Sequence, residues 1–180
     1  MAESPDWLPP QEPFEGEWKE ILDKTYECFV EDVVKSGLSF EGLPVVVRKH
    51  PPTDGKEFGF WHCISEGSLE ADRNPDPERC RRIGWIRAVI ENCTDPLVES
   101  WVENRGGQTD HLLWFREEYL VILSERGEAA CGGPKCYLLK TAYCTLRPHE
   151  KRKKRKACDA AKANAAPNGT ASNTPSTHGG

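Results

Sequence analysis

VESWVENRGGQTDHLLWFREEYLVILSERGEAACGGPKCYLLKTAYC, residues 98–144, is the stretch that decides the fold class. It holds four strand-like runs: VESWVEN (98–104), HLLWFRE (111–117), YLVILSE (119–125) and CYLLKTAYC (136–144). RGGQTD, a short EE link and RGEAACGGPK separate them. Closely spaced runs with short links pair with their chain neighbours, so an antiparallel meander of four strands is expected.

Upstream the pattern is different. FEGEWKEILDKTYECFVEDVVKSG carries apolar side chains at 14, 18, 21, 22, 26, 29, 30, 33 and 34. That is helical spacing with one apolar face, and Gly37 is a good stop. The opposite face is mostly Glu, Asp and Lys, which makes this helix scaffold. LPVVVRKH (43–50) reads as a short strand, PPTDGKE (51–57) as a turn and FGFWHCI (58–64) as a second extended run. SLEADRNPDPERCRRIGWIRAVIEN (68–92) opens as a loop; Asp76 can then cap a helix with Pro77 in its first position. Gly84 and the β-branched residues weaken the second half of that helix. TLRPHEKRKKRKACDAAKANA (145–165) reads as a basic helix. Helices followed by a contiguous antiparallel sheet mean an α+β fold. The expected boundaries are a disordered lead over 1–13, one domain over 14–156 and a disordered, dispensable tail over 157–180.

Composition limits the function classes. The chain has 180 residues, 37% hydrophobic and 29% charged, which suits one ordinary domain with tails. No run of 18 apolar residues exists, so no membrane partner is expected. The acidic, proline-rich start MAESPDWLPPQEPFEGE lacks the regions of a signal peptide, which points to the cytoplasm. The net charge of −5 hides an asymmetry: residues 1–41 carry −8, and the rest +3. HEKRKKRK (149–156) sets six basic groups against one acidic. A basic end favours an anionic partner, with nucleic acid the commonest. The eight cysteines form no CxxC pair, so no zinc site is expected. They read as reduced, mostly buried thiols, with Cys131 and Cys136 able to pair on oxidation.

No Walker loop, GxGxxG, HExxH or nucleophile elbow is present, and no cluster of three carboxylates is evident. Histidines, arginines and tyrosines remain. Those types suit metal-independent RNA cleavage, in which the 2′-hydroxyl attacks the adjacent phosphate. A histidine can take or give the proton, and arginine forks can stabilise the phosphorane. His62, between Phe60–Trp61 and the SEG turn, is the best histidine; Ser65 and Glu66 could orient its ring. His111 is a candidate second acid or base. Arg82, Arg87 and Arg105 are candidate phosphate ligands, with Arg73 in the loop after His62. Tyr143 can donate to a phosphate or stack on a base, and Thr141 shares its side of the strand. Lys151, Arg152, Lys153 and Lys154 would contact the RNA backbone without sequence preference.

GFWHCISEG, DRNPDPERCRRIGWIRAVIEN, HLLWFREEYLVILSERG, YLLKTAYC and HEKRKKRK, taken in order over about residues 43–156, resemble the phage- and mobile-element-borne BECR-type nucleases. BECR denotes the barnase, EndoU, colicin and RelE-like fold. The resemblance implies helices followed by a curved four-stranded antiparallel sheet that carries the active site. It also implies a toxin-like endoribonuclease with no cofactor, which acts on RNA and answers to an antitoxin or immunity protein. His62, the helix arginines and the TAY of 141–143 sit where that family's active groups are expected. Gly84 and Ile86 depart from its basic or proline residues, and the Cys131–Cys136 insertion is unusual. Two rival readings use the same residues: an RNA-binding module without cleavage, and an interaction protein that docks its acidic helix on a partner.

Overall fold

The structure is a computed structural model that describes residues 3–66 and 74–165. Helix α1 (Trp18–Phe29) buries Ile21, Thr25 and Phe29, then widens into a π turn over Val30–Val34 that buries Val33. Gly37, at φ +69, ends it in the left-handed region that favours glycine. Strands β1 (Ser39–Phe40) and β2 (Leu43–Val47) form a hairpin across Glu41 and Gly42, both at positive φ.

FGFWHCI is helical, not extended: it forms α2 (Phe58–Ile64). Its alternating aromatics fit a strand, but Phe60, Cys63 and Ile64 share one helical face and are buried there. Gly59 shows why the helix can lie so close to β2, since a Cβ at this position would collide with the Val47 side chain. The two-residue strands β3 (Ser65–Glu66) and β4 (Asn74–Pro75) pair with each other. Helix α3 (Pro77–Arg81) starts as expected, with Asp76 Oδ1 accepting from the Glu78 N–H at 2.8 Å. After Gly84, α4 (Trp85–Glu91) buries five of its seven side chains.

The meander forms as read: β5 (Val98–Arg105), β6 (Gln108–Phe115), β7 (Tyr119–Arg126) and β8 (Cys136–Cys144) pair antiparallel in sequence order. Short helix α5 (Glu128–Cys131) precedes β8, and a Cys131–Cys136 disulfide joins the two. Among the described residues the sheet has six strands, however, not four. Its order is β1-β2-β8-β7-β6-β5, and it is curled. Strand β2 runs parallel to β8, with Val45, Val46 and Val47 beside Tyr137, Leu138 and Leu139. That pairing spans some ninety residues, and no local pattern marks it. The fold is α+β.

Strand alternation gives the sheet two apolar faces. Val98, Leu113, Phe115, Tyr119, Val121, Leu123, Leu139 and Ala142 face α1, α2 and α4 in the main core. Trp101, Leu112, Trp114 and Leu120 face the other way and pack on Cys158 of α6 (Pro148–Ala165).

The terminal segments correct the expected boundaries. Residues 3–13, read as a disordered lead, form a strap over the core. Trp7 donates to Asp95 at 2.9 Å and meets Phe115 edge-on at 5.3 Å, while Trp85 donates to the Pro9 carbonyl at 3.0 Å. Two apolar anchors, Trp7 and Leu8, outweigh the proline-rich composition. At the other end, α6 runs on to Ala165, and Cys158 within the expected tail is fully buried. The rest of that tail, 166–180, lies outside the described residues. Among the described residues, no helix is long and apolar enough to cross a membrane.

Candidate active site

Beyond Leu139, β8 has no strand on its β2 side among the described residues. A bulge falls here: Leu123 pairs with Leu139 but Ile122 with Thr141, so Lys140 is the extra residue. Bulges re-aim side chains and recur beside active sites. This one lets Leu139 and Ala142 both face the core and turns Thr141 and Tyr143 to the opposite face. The end of α2 closes the open edge, held by the Thr141 hydroxyl, which donates to the His62 carbonyl at 2.9 Å.

The result is a cleft of about 440 Å³ whose walls include His62, Arg79, Lys140, Thr141, Tyr143 and Arg147. Arg79 comes from α3. It donates to the Ser65 carbonyl at 2.5 Å, lies 3.4 Å from Asp76 and rests over the Tyr143 ring at 5.4 Å. Lys154 of α6 approaches the same ring at 5.9 Å. Burial pushes the Tyr143 phenol up to about 12, so at neutral pH it is a proton donor and not a base. Lys140 is anchored by Asp110 at 2.7 Å. Burial opposes ionisation of Asp110, but hydrogen bonds from Lys140, Ser124 and Gln108 outweigh it and hold the carboxyl below its usual range. His62 is half-buried, and its ring leans on Phe58 at 4.3 Å. Four carboxylates, Glu66, Asp76, Glu78 and Glu150, also line the cleft.

Three expected residues thus meet: His62, Thr141 and Tyr143. Thr141 holds the backbone of His62 rather than pointing at a nucleotide. The arginine is not the expected one. Arg82 is buried, donates to Glu78 at 2.5 Å and stacks over Trp85 at 5.0 Å; it is structural. Arg87 is exposed and paired with Glu91 at 2.9 Å and Asp32 at 3.5 Å. Arg105 is exposed and paired with Glu103 at 2.7 Å. Arg79 was missed, although it precedes the buried Cys80 on the one helical turn that Asp76 caps. His111 is no second acid or base for this cleft. It sits on the core face between Phe40 and Tyr137 and pairs with Glu125 at 2.7 Å.

The basic segment divides. Lys154 faces Tyr143, Lys151 and Arg152 line a shallow hollow on another side of α6, and Lys153 is exposed. Arg155 docks the helix, bonded to Glu99 and Glu117. Arg73 lies outside the described residues.

Cys144 borders the cleft and Cys63 lies beneath it, but burial pushes their thiols up to about 11 and about 12. Thiols so raised are poor nucleophiles. Among the described residues, no group of three or more His, Cys, Asp or Glu side chains is arranged to hold a metal ion. Compared with known proteins, the chain matches no family model, no curated protein and no solved structure.

Proposed function

We propose that the protein is a metal-independent endoribonuclease on a barnase- and RelE-like α+β scaffold. The observation that carries this reading is the convergence of His62, Tyr143, Arg79 and Lys140 on one cleft at the β8 bulge. Attack of the 2′-hydroxyl on the adjacent phosphate needs a group to take the proton, a donor to the phosphate oxygens and fixed positive charge. His62 takes the proton as the general base. Tyr143 donates to a non-bridging oxygen. As the 2′ oxygen bonds to phosphorus, the P–O5′ bond breaks and the 5′ oxygen leaves as a hydroxyl with a proton taken from solvent. Arg79 and Lys140 offset the charge that builds on the phosphorane. The 2′-hydroxyl is the nucleophile, so DNA is not a substrate.

Incubation of the purified chain with total RNA in EDTA, with product ends mapped, tests the reading. Cleavage should leave a 2′,3′-cyclic phosphate on the 5′ fragment, and a 2′-deoxy substitution at the cut should block it. His62→Ala should lower the rate about 100- to 10,000-fold with little change in melting temperature. A 3′-hydroxyl product, dependence on Mg²⁺, or activity of His62→Ala within threefold of wild type would sink this mechanism.

A further inference from the structure

His62 borders a second cleft as well. Phe58 stands one helical turn before it on α2, and the guanidinium of Arg48 covers Phe58 at 3.9 Å. Arg48 is itself fixed, its Nε donating to the His50 carbonyl at 2.8 Å. Arg48, Phe58 and His62 therefore form a column, with the His62 ring tilted 43° to that of Phe58. Around the column lies a hollow of about 330 Å³, also lined by Gln108, Arg126 and Lys140. That volume is at the small end of ligand clefts, which run from about 300 to 1,000 Å³.

The two clefts differ in charge. The first sets four carboxylates against Arg79, Lys140 and Arg147. The second has Arg48, Arg126 and Lys140 and, among the described residues, no lining carboxylate. Neither Arg48 nor Arg126 has an ion-pair partner among the described residues; Arg126 donates only to the Glu125 carbonyl, at 3.2 Å. Two unpaired forks beside an anchored lysine suit phosphate, which arginine binds bidentately. The outer face of Arg48 is exposed to solvent, and a guanidinium plane is a platform on which an unpaired base can stack.

We propose that this second cleft is a nucleotide subsite for single-stranded RNA. Arg48 and Arg126 hold the phosphate next to the one that is cut, and the strand passes from one cleft to the other across His62. The subsite rests on the ribonuclease reading, and binding measured apart from cleavage separates the two.

The probe is a fluorescent eight-nucleotide RNA made uncleavable by 2′-deoxy substitution, titrated by anisotropy at several salt concentrations. The proteins are wild type, Arg48→Gln, Arg126→Gln, the double variant and Arg87→Gln as a surface-charge control. Thermal unfolding verifies that each is folded. Each subsite arginine should account for about 0.7 of the slope of log affinity against log salt, the value for one single-strand phosphate contact. The double variant should therefore lose about 1.4 of slope and at least tenfold in affinity, while Arg87→Gln stays at wild type. An unchanged slope in the double variant overturns the subsite, and if wild type still cleaves, the nuclease reading survives. Loss of binding in the double variant when no cleavage is seen in any assay supports the subsite and defeats the nuclease reading. No binding by wild type, tighter binding of the same sequence as a duplex, or equal competition by polyglutamate of the same charge each overturns the proposal.

Discussion

At the scale of single residues, the cleft rests on a few side chains whose neighbours decide their roles. Tyr143 keeps its phenol protonated, the more firmly because burial raises it to about 12, and in the proposed mechanism it is a donor. Tyr143→Phe should therefore lower the cleavage rate about 100-fold, the range for one transition-state donor, and leave the melting temperature unchanged; a rate at wild-type level removes the phenol from the mechanism. Gly59 is a packing residue. Gly59→Ala should cost about 1–3 kcal/mol through overpacking, measured as a fall in urea midpoint, and Val47→Ala should recover part of it by removing the group the new Cβ meets. His62 and Tyr143 were legible in the sequence because each stands next to a recognisable boundary. The choice among Arg79, Arg81, Arg82 and Arg87 was not. It depends on how α3 is turned, and that is fixed by burial of Cys80 and Ile83 against elements remote in sequence. Arg82 instead fills the space over Trp85.

At the scale of elements, the antiparallel meander was legible because each strand pairs with its chain neighbour. The misread α2 shows the limit of periodicity in a seven-residue segment, where alternating aromatics satisfy strand and helix alike. Docking against β2 and β8 decided it. The attachment of α6 gives the clearest pH dependence. Hydrogen bonds from Arg155 lower the Glu99 carboxyl to about 2; burial opposes this, and Lys162 adds to it. A carboxyl lowered on folding stabilises above its unfolded value and loses that contribution as pH falls through its folded one. Docking of α6 should therefore weaken between about pH 4.5 and about pH 2, seen as a change in the fluorescence of Trp101 and Trp114, which lie under the helix. Glu99→Gln should remove most of that transition; an unaltered profile would mean that other groups set it. The buried Cys158 and the Lys162–Glu99 pair also make residues 157–165 structural. A chain ending at Lys156 should melt several degrees lower than one ending at Ala165.

At the scale of the whole molecule, the N-terminal strap ties the beginning of the chain to α4 and the far end of the sheet. Trp7→Ala should destabilise by about 1–3 kcal/mol, read from urea denaturation, with cleavage preserved because Trp7 does not line the cleft. No such strap was legible, since a proline-rich acidic stretch resembles a linker until its tryptophan finds a slot. The slot is built from Asp95 and Phe115, separated from Trp7 by up to 108 positions. This has a consequence for the newborn chain. Synthesis proceeds at about 5–20 residues per second, so Trp7 leaves the ribosome roughly 5–20 s before Phe115. The strap is thus made well before its slot is complete, and until then its hydrophobic side chains are open to chaperones and proteases.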